Sequence, residues 1–392
     1  MDGTFKERFP TGERFGMLFV VNFVFAFHLF FAIYFHSSFL ETFINERLVG
    51  SVWVVGSVFS VLTLLLAPTI LRRIGNYLFI VLLAVLQMIV FLALASTLNT
   101  FFIIVLFAIF LSVYPLILFC IDIFLESYIV EEGATGNIRG IFLTTTNVAL
   151  IIAPFFAGRM LTNGNYSTLY VVSAILLIPF IALLFRFRRF KDPLYYTPKI
   201  IDSIRGIWRD KNIYRVFMAQ FILRLFYAAM VIYLPVYLHN HIGFTWSEFG
   251  VMATIMLLPY ALFEWPAGKI ADKKFGEKEM LVLGFAITAI STTFIPFITS
   301  NSFFLWTALL FLGRSGASLI EIMSESYFFK HVRGENDDII GFFRILNPFA
   351  YVVGPLGATV ILVFFDIQYI FLFLAFILLW GIRYGMTLDD TR

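Results

Sequence analysis

Long apolar runs alternate with short polar breaks along the whole chain. Twelve runs approach twenty residues or more, the length that spans a bilayer as α-helix. They fall at Phe15–Ser38, Leu48–Leu66, Tyr77–Ser96, Phe101–Glu126, Gly140–Leu161, Tyr166–Phe185, Ile213–Leu238, Trp246–Ala267, Met280–Ile298, Ser302–Glu325, Ile339–Phe364 and Ile367–Tyr384. The tripeptide Glu-Ser-Tyr closes two of them, at Glu126–Tyr128 and Glu325–Tyr327, about two hundred residues apart. Gly133, Gly140 and Pro154 recur in nearly the same register as Gly334, Gly341 and Pro355, and Arg72-Arg73-Ile74-Gly75 falls opposite Lys273-Lys274-Phe275-Gly276. Two similar apolar halves predict an all-α polytopic membrane protein. Its twelve transmembrane helices form two pseudo-symmetric six-helix bundles that rock around a central site.

The polar breaks carry the orientation. Of the 28 Lys and Arg residues, 23 fall at the ends of the spans that share a side with the two termini; the opposite side has Arg47 and Arg159. The remaining three, Arg224, Arg314 and Arg344, lie inside spans. Basic residues stay on the cytoplasmic side, so both termini are expected there, in a prokaryotic inner membrane. The first run is longer than a signal-peptide core and has no small-residue cleavage site behind it, so it is expected to remain in the mature protein. One break, Arg186–Asn212, is long enough to be a linker. It divides the chain into a bundle at 1–186, a linker at 187–212 and a bundle at 213–392. Ile200, Ile201, Ile204, Ile207 and Trp208 recur within it at helical spacing, which predicts an amphipathic helix on the inner leaflet acting as a tether.

Composition agrees with the pattern. Apolar residues are 60% of the chain and charged residues 14%, about half the charge of a soluble domain, and the mean hydropathy is +0.91. The 51 phenylalanines add apolar bulk with no polar group to satisfy. The net charge of +3 reflects the asymmetry of the breaks and implies no nucleic-acid partner. The lone Cys120 reads as a small core residue. No phosphate-binding loop of the Walker type occurs and no His/Cys cluster implies a metal. Neither a cofactor nor an enzymatic activity is therefore expected.

The sharpest motif is Gly268-Lys269-Ile270-Ala271-Asp272-Lys273-Lys274-Phe275-Gly276-Glu277-Lys278, between the eighth and ninth spans. It resembles the G-x-L-A-D-R-x-G-R-K signature of the major facilitator superfamily, with Lys273 where the signature has Arg. The twelve spans, central linker and two-fold repeat extend the resemblance over the whole chain. It implies a cavity lined mainly by spans one, four, seven and ten, reached by alternating access. It also implies an inner gate in which Asp272 docks on the first turn of span five, near Asn137–Gly140, and the motif's basic residues meet Glu325. The first-half copy has Leu71 in place of the docking acid, although Arg72 and Arg73 can still reach Glu126. The gate is therefore expected to be asymmetric.

Ionisable groups inside spans are costly and mark function by default. His28, Arg224 and Arg314 fall near mid-span. Asp122, Glu264, Glu321 and Arg344 lie nearer the cytoplasm, and Glu321 is roughly 10 Å from Arg314 along its helix. Gln220, Arg224 and Tyr227 share one face of span seven, and Arg314, Ser318, Glu321 and Glu325 form one stripe on span ten. Two arginines with no acid at their depth suggest a site for an anion. The expected molecule is a monomeric secondary transporter of a small anionic or acidic amphiphilic solute. Arg224, Arg314, His28, Gln220 and Tyr227 face the solute, and coupling is by a proton on Asp122 or Glu321, or by exchange. Gly268, Asp272, Lys273, Gly276, Glu325, Glu126, Arg72 and Arg73 form the gate. Its partners are the solute and the lipid bilayer. The rivals are a multidrug exporter, in which Arg314 only orients Glu321, and a lipid flippase or non-transporting receptor.

Overall fold

The computed structural model describes residues 11–128, 135–195, 200–271, 276–331 and 337–389. Its helices are α1 (Thr11–Ala32), α2 (His36–Glu41), α3 (Glu46–Ile74), α4 (Asn76–Ser96), α5 (Thr100–Tyr128), α6 (Thr135–Met160), α7 (Tyr166–Leu184), α8 (Ile200–Arg209), α9 (Lys211–Ile232), α10 (Leu234–Val236), α11 (Trp246–Ile270), α12 (Glu277–Phe294), α13 (Phe303–His331), α14 (Asp337–Phe364) and α15 (Gln368–Thr387). Among the described residues, twelve helical segments are long and apolar enough to cross a membrane. The first joins α1 to α2 across a break at Ile33–Phe35, and the seventh joins α9 and α10 to a wide helical turn at Tyr237–Ile242. Every expected span is present, with ends shifted by a few residues. The largest extension carries the second span from Leu66 to Ile74.

Local chemistry sets several of these boundaries. Asn45, Asn165 and Asp210 cap α3, α7 and α9 by accepting hydrogen bonds from backbone N–H groups of their first turns, which otherwise lack partners. Gly75 precedes α4 with φ 75° and ψ 160°, and Gly276 precedes α12 with φ 85° and ψ 161°. Only glycine adopts this geometry without strain. The repeat seen in the sequence is thus a repeat of backbone conformation.

The helices sort into two bundles. α1 packs on α6 and α7, α3 on α5, and α4 on α5 and α7; α12 packs on α13 and α15, α11 on α13, and α9 on α14 and α15. The bundles meet along two seams, α6 against α11 and α3 against α14. We call the end that carries both termini the terminal end, and the other the far end. At the far end the α6–α11 seam closes to backbone contact. A Cβ on Gly158 would lie 2.4 Å from the Trp246 carbonyl oxygen, and one on Gly250 would lie 2.6 Å from that of Pro154. Rings complete this seal: Phe35 meets Trp246 and Phe249 edge-on, and Trp53 lies against Tyr351 with centroids 5.5 Å apart. Large exposed apolar side chains such as Phe59, Leu62, Phe102, Ile175, Phe304 and Phe376 cover the outside, as a lipid-facing surface requires.

The linker is pinned at both ends. Asp192 accepts a 2.7 Å hydrogen bond from the Asn76 backbone N–H at the start of α4 and one from the Tyr195 hydroxyl. An acid thus does reach the first-half loop, but from the linker rather than from position 71. α8 forms where the apolar spacing predicts it and packs on α9 and α14. Ile207 is buried in that contact, while Trp208 is exposed and lies against the Tyr214 ring. Asn212 and Tyr327 both bond Asp389, so the described C-terminal residues are tied to α9 and α13.

Candidate functional site between the two bundles

The polar face of α9 meets the polar stripe of α13, as their helical spacing predicts. Arg224 on α9 pairs with two carboxylates of α13, Glu321 at 3.0 Å and Glu325 at 3.7 Å. The Tyr227 hydroxyl donates to Glu321 at 2.7 Å, and the Tyr260 hydroxyl of α11 donates to Tyr227 at 2.8 Å. Lower on the same face, the Ser324 hydroxyl donates to Gln220 at 2.7 Å. Arg224 therefore does not leave its charge open. Its long side chain reaches toward the terminal end and finds both acids, and Glu321 pairs with it rather than with Arg314.

Arg314 is in a different situation. It is 4% exposed, and its guanidinium stands 5.1 Å from the Phe226 ring centroid and 5.5 Å from that of Tyr227. Tyr260 and Tyr34 are its polar neighbours, the latter from α1 of the opposite bundle. Tyr351 of α14 and Tyr114 of α5 extend this hydroxyl lining. Among the described residues no carboxylate pairs with Arg314, and one terminal guanidinium nitrogen has no hydrogen-bond partner. Exposure rises from Arg314 through Arg224 and Glu321, at 20% and 21% of their side chains, to Glu325 at 30%. The cluster is therefore closed off toward the far end and reached by solvent from the terminal end.

Toward the terminal end, Glu126 forms an ion pair with Arg139 of α6, and Arg139 also lies within electrostatic reach of Glu325. One arginine of the first bundle thus faces a carboxylate from each half. The expected gate assigned Glu325 to the basic motif; the structure sets it against Arg224 and near Arg139. Arg72 donates to the Thr69 hydroxyl, and both Arg72 and Arg73 are exposed in the last turn of α3. Asp122 is half-buried on α5. Gly268 lies in the last turn of α11, while Asp272 and Lys273 are outside the described residues, as are the side chains of Glu264 and Arg344.

His28 lies elsewhere than the sequence suggests. It is fully buried inside the first bundle, with Nδ1 2.7 Å from the Ser173 carbonyl oxygen and Nε2 3.1 Å from the Gln87 amide nitrogen. Its ring faces α4 and α7, because these helices supply the polar partners that a mid-span imidazole requires. The main omission of the sequence reading is the tyrosines. In a chain that uses phenylalanine so freely, a mid-span hydroxyl is a costly choice, and Tyr34, Tyr260 and Tyr351 lie near the arginines, with Tyr114 beside Tyr351.

Residues 216–387 match the family model of the Major Facilitator Superfamily. Over 210 residues the chain is 24% identical to a probable nitrate transporter, NarT, of Staphylococcus epidermidis. That alignment covers 53% of this chain and 52% of the relative, so the match spans about half the length of each. Two solved structures of the nucleoside transporter NupG, one of a point mutant, share the fold with TM-scores of 0.77 and 0.76 at 11% identity. Both comparisons cover 96% of this chain, with 98% and 100% of the solved chains.

Proposed function

We propose that the chain is a secondary transporter of the major facilitator kind, as the family match over residues 216–387 and the shared fold support, and that it carries a small anionic solute by alternating access. The carrying observation is Arg314, a buried cation with an unpartnered guanidinium nitrogen and no acid beside it among the described residues. Such a group gains most from an oxyanion, which its fork binds through two charge-assisted hydrogen bonds. The tyrosine hydroxyls around it offer further donors. The description of the relative NarT as a probable nitrate transporter supports the anion class.

Arg224 and Glu321 supply the coupling. Protonation of Glu321 removes one of the two negative charges held against Arg224 and leaves Glu325 to balance it, so the site gains one positive charge and a proton and an anion enter together. The bundles at 1–186 and 213–392 move as two units joined by 187–212, with the terminal end in the cytoplasm. The multidrug reading gave Arg314 the task of orienting Glu321; the pairing of Glu321 with Arg224 supports the anion reading over it. Purified protein is screened for thermal stabilisation by nitrate, formate, acetate and longer carboxylates against neutral sugars and nucleosides. A bound ligand stabilises by mass action. Saturable stabilisation by anions that disappears in Arg314→Gln is the expected result; stabilisation by neutral solutes alone overturns the anion reading.

A further inference from the structure

The far end holds a second polar compartment that the transport reading does not use. A cleft of about 320 Å³ opens there between the bundles, lined from the first half by Ser38, Glu41, Thr42 and Tyr166, and from the second by His239, Asn240 and Trp246. Glu41 is the only acidic residue in this lining, and no Lys or Arg lines it. Its carboxylate accepts one hydrogen bond, 3.0 Å, from the Asn240 side chain across the seam. Among the described residues no basic side chain pairs with it; His241, the nearest candidate along the turn, is taken by Glu46 at 3.1 Å. Ser38 is 4% exposed, and its hydroxyl lies beside that of Tyr166. The aromatic wall is fixed in place, with Trp246 stacked on His239 at 3.9 Å and edge-on to Tyr166 at 6.4 Å.

A carboxylate with no basic partner among the described residues, a serine hydroxyl and aromatic rings in one half-enclosed space call for a positively charged guest that meets the ring faces. A bare ion would leave the aromatic wall of the cleft without a contact. Among the described residues, no three His, Cys, Asp or Glu side chains are arranged to hold a metal. We propose that this cleft is a binding site for a small organic ammonium compound, separate from the solute compartment. The ammonium group sits on Glu41 and Ser38, and its apolar body lies against Tyr166 and Trp246. Because the walls come from both bundles and meet only while the far end is closed, such a ligand holds the transporter in that state and acts as an effector rather than as cargo.

The test uses full-length protein in nanodiscs and phenethylammonium as the probe, with 2-phenylethanol as its uncharged counterpart of similar shape. Calorimetry is expected to show saturable phenethylammonium binding, with affinity for phenylethanol at least about tenfold weaker. Glu41→Gln keeps the hydrogen bond from Asn240 and is expected to weaken phenethylammonium by about tenfold or more. Glu321→Gln is expected to leave this binding unchanged. Spin labels at Asn165 and Asn301 are expected to report a narrower far-end distance distribution with the probe bound. Equal affinity for the charged and uncharged compounds, or no saturable binding, overturns the proposal on the wild-type protein alone. Loss of binding in Glu321→Gln but not in Glu41→Gln places the cation in the central compartment and overturns it as well.

Discussion

Two arginines of similar depth acquire different tasks from their neighbours. Arg224 faces α13 one turn above two acids and pairs with both, whereas Arg314 faces rings and hydroxyls. Replacing Arg314 by Gln removes a charged donor whose hydrogen bonds to an anion are worth about 1.5–3 kcal/mol, so affinity is expected to fall by roughly tenfold to a hundredfold. Arg314→Lys restores the charge but not the fork and is expected to recover only part of it, as titration calorimetry with the best-binding anion will show. Glu321→Gln cannot exchange a proton. In proteoliposomes it is expected to retain anion exchange while losing uptake driven by a pH gradient, and uptake that still follows the gradient moves the proton site elsewhere, with Asp122 first in line. The charged members of this site were legible because ionisable residues stand out in an apolar span. Their pairing was not, since depth alone does not say which way a long side chain reaches. His28 shows the same limit: mid-span depth identifies a polar residue, but only the packed helices decide whether it faces its own bundle or the partner.

Elements were more legible than pairings. Each span is bounded by residues that change the backbone's options, such as the capping Asn45 and Asp210 or the left-handed Gly75 and Gly276. What the pattern did not reveal is where the two bundles touch, because glycines and small residues at a seam look like any others in an apolar run. Gly158 and Gly250 are the clearest case, for a side chain at either would collide with backbone atoms that cannot rotate aside. Gly250→Ala is therefore expected to pry α6 from α11 and lengthen the Asn165–Asn301 distance measured between spin labels, without loss of helix content. A second element-level expectation concerns Asp192, whose carboxylate caps α4 from outside the bundle. Losing such a cap costs about 0.5–2 kcal/mol, and this one is exposed, so Asp192→Ala is expected at the lower end of that range in denaturant titration.

For the whole molecule, the sequence-level repeat foretold two bundles of similar helices, whereas the basic asymmetry speaks only to sidedness. Sidedness remains to be measured. Single cysteines at Asn165 and Asn301 are expected to react with an impermeant thiol reagent added outside intact cells, and one at Lys191 only after permeabilisation; the reverse pattern inverts the topology. Cys120 is fully buried, so it should leave these labels unobscured. The pinned linker has a mechanical consequence. Between Asp192, fastened to α4, and Ile200, where α8 begins its contact with the second bundle, the covalent chain reaches at most about 28 Å when fully drawn out. Covalent length thus bounds how far those two anchor points part while the Asp192 cap holds, so an opening of the terminal end wider than that length is expected to require release of the cap.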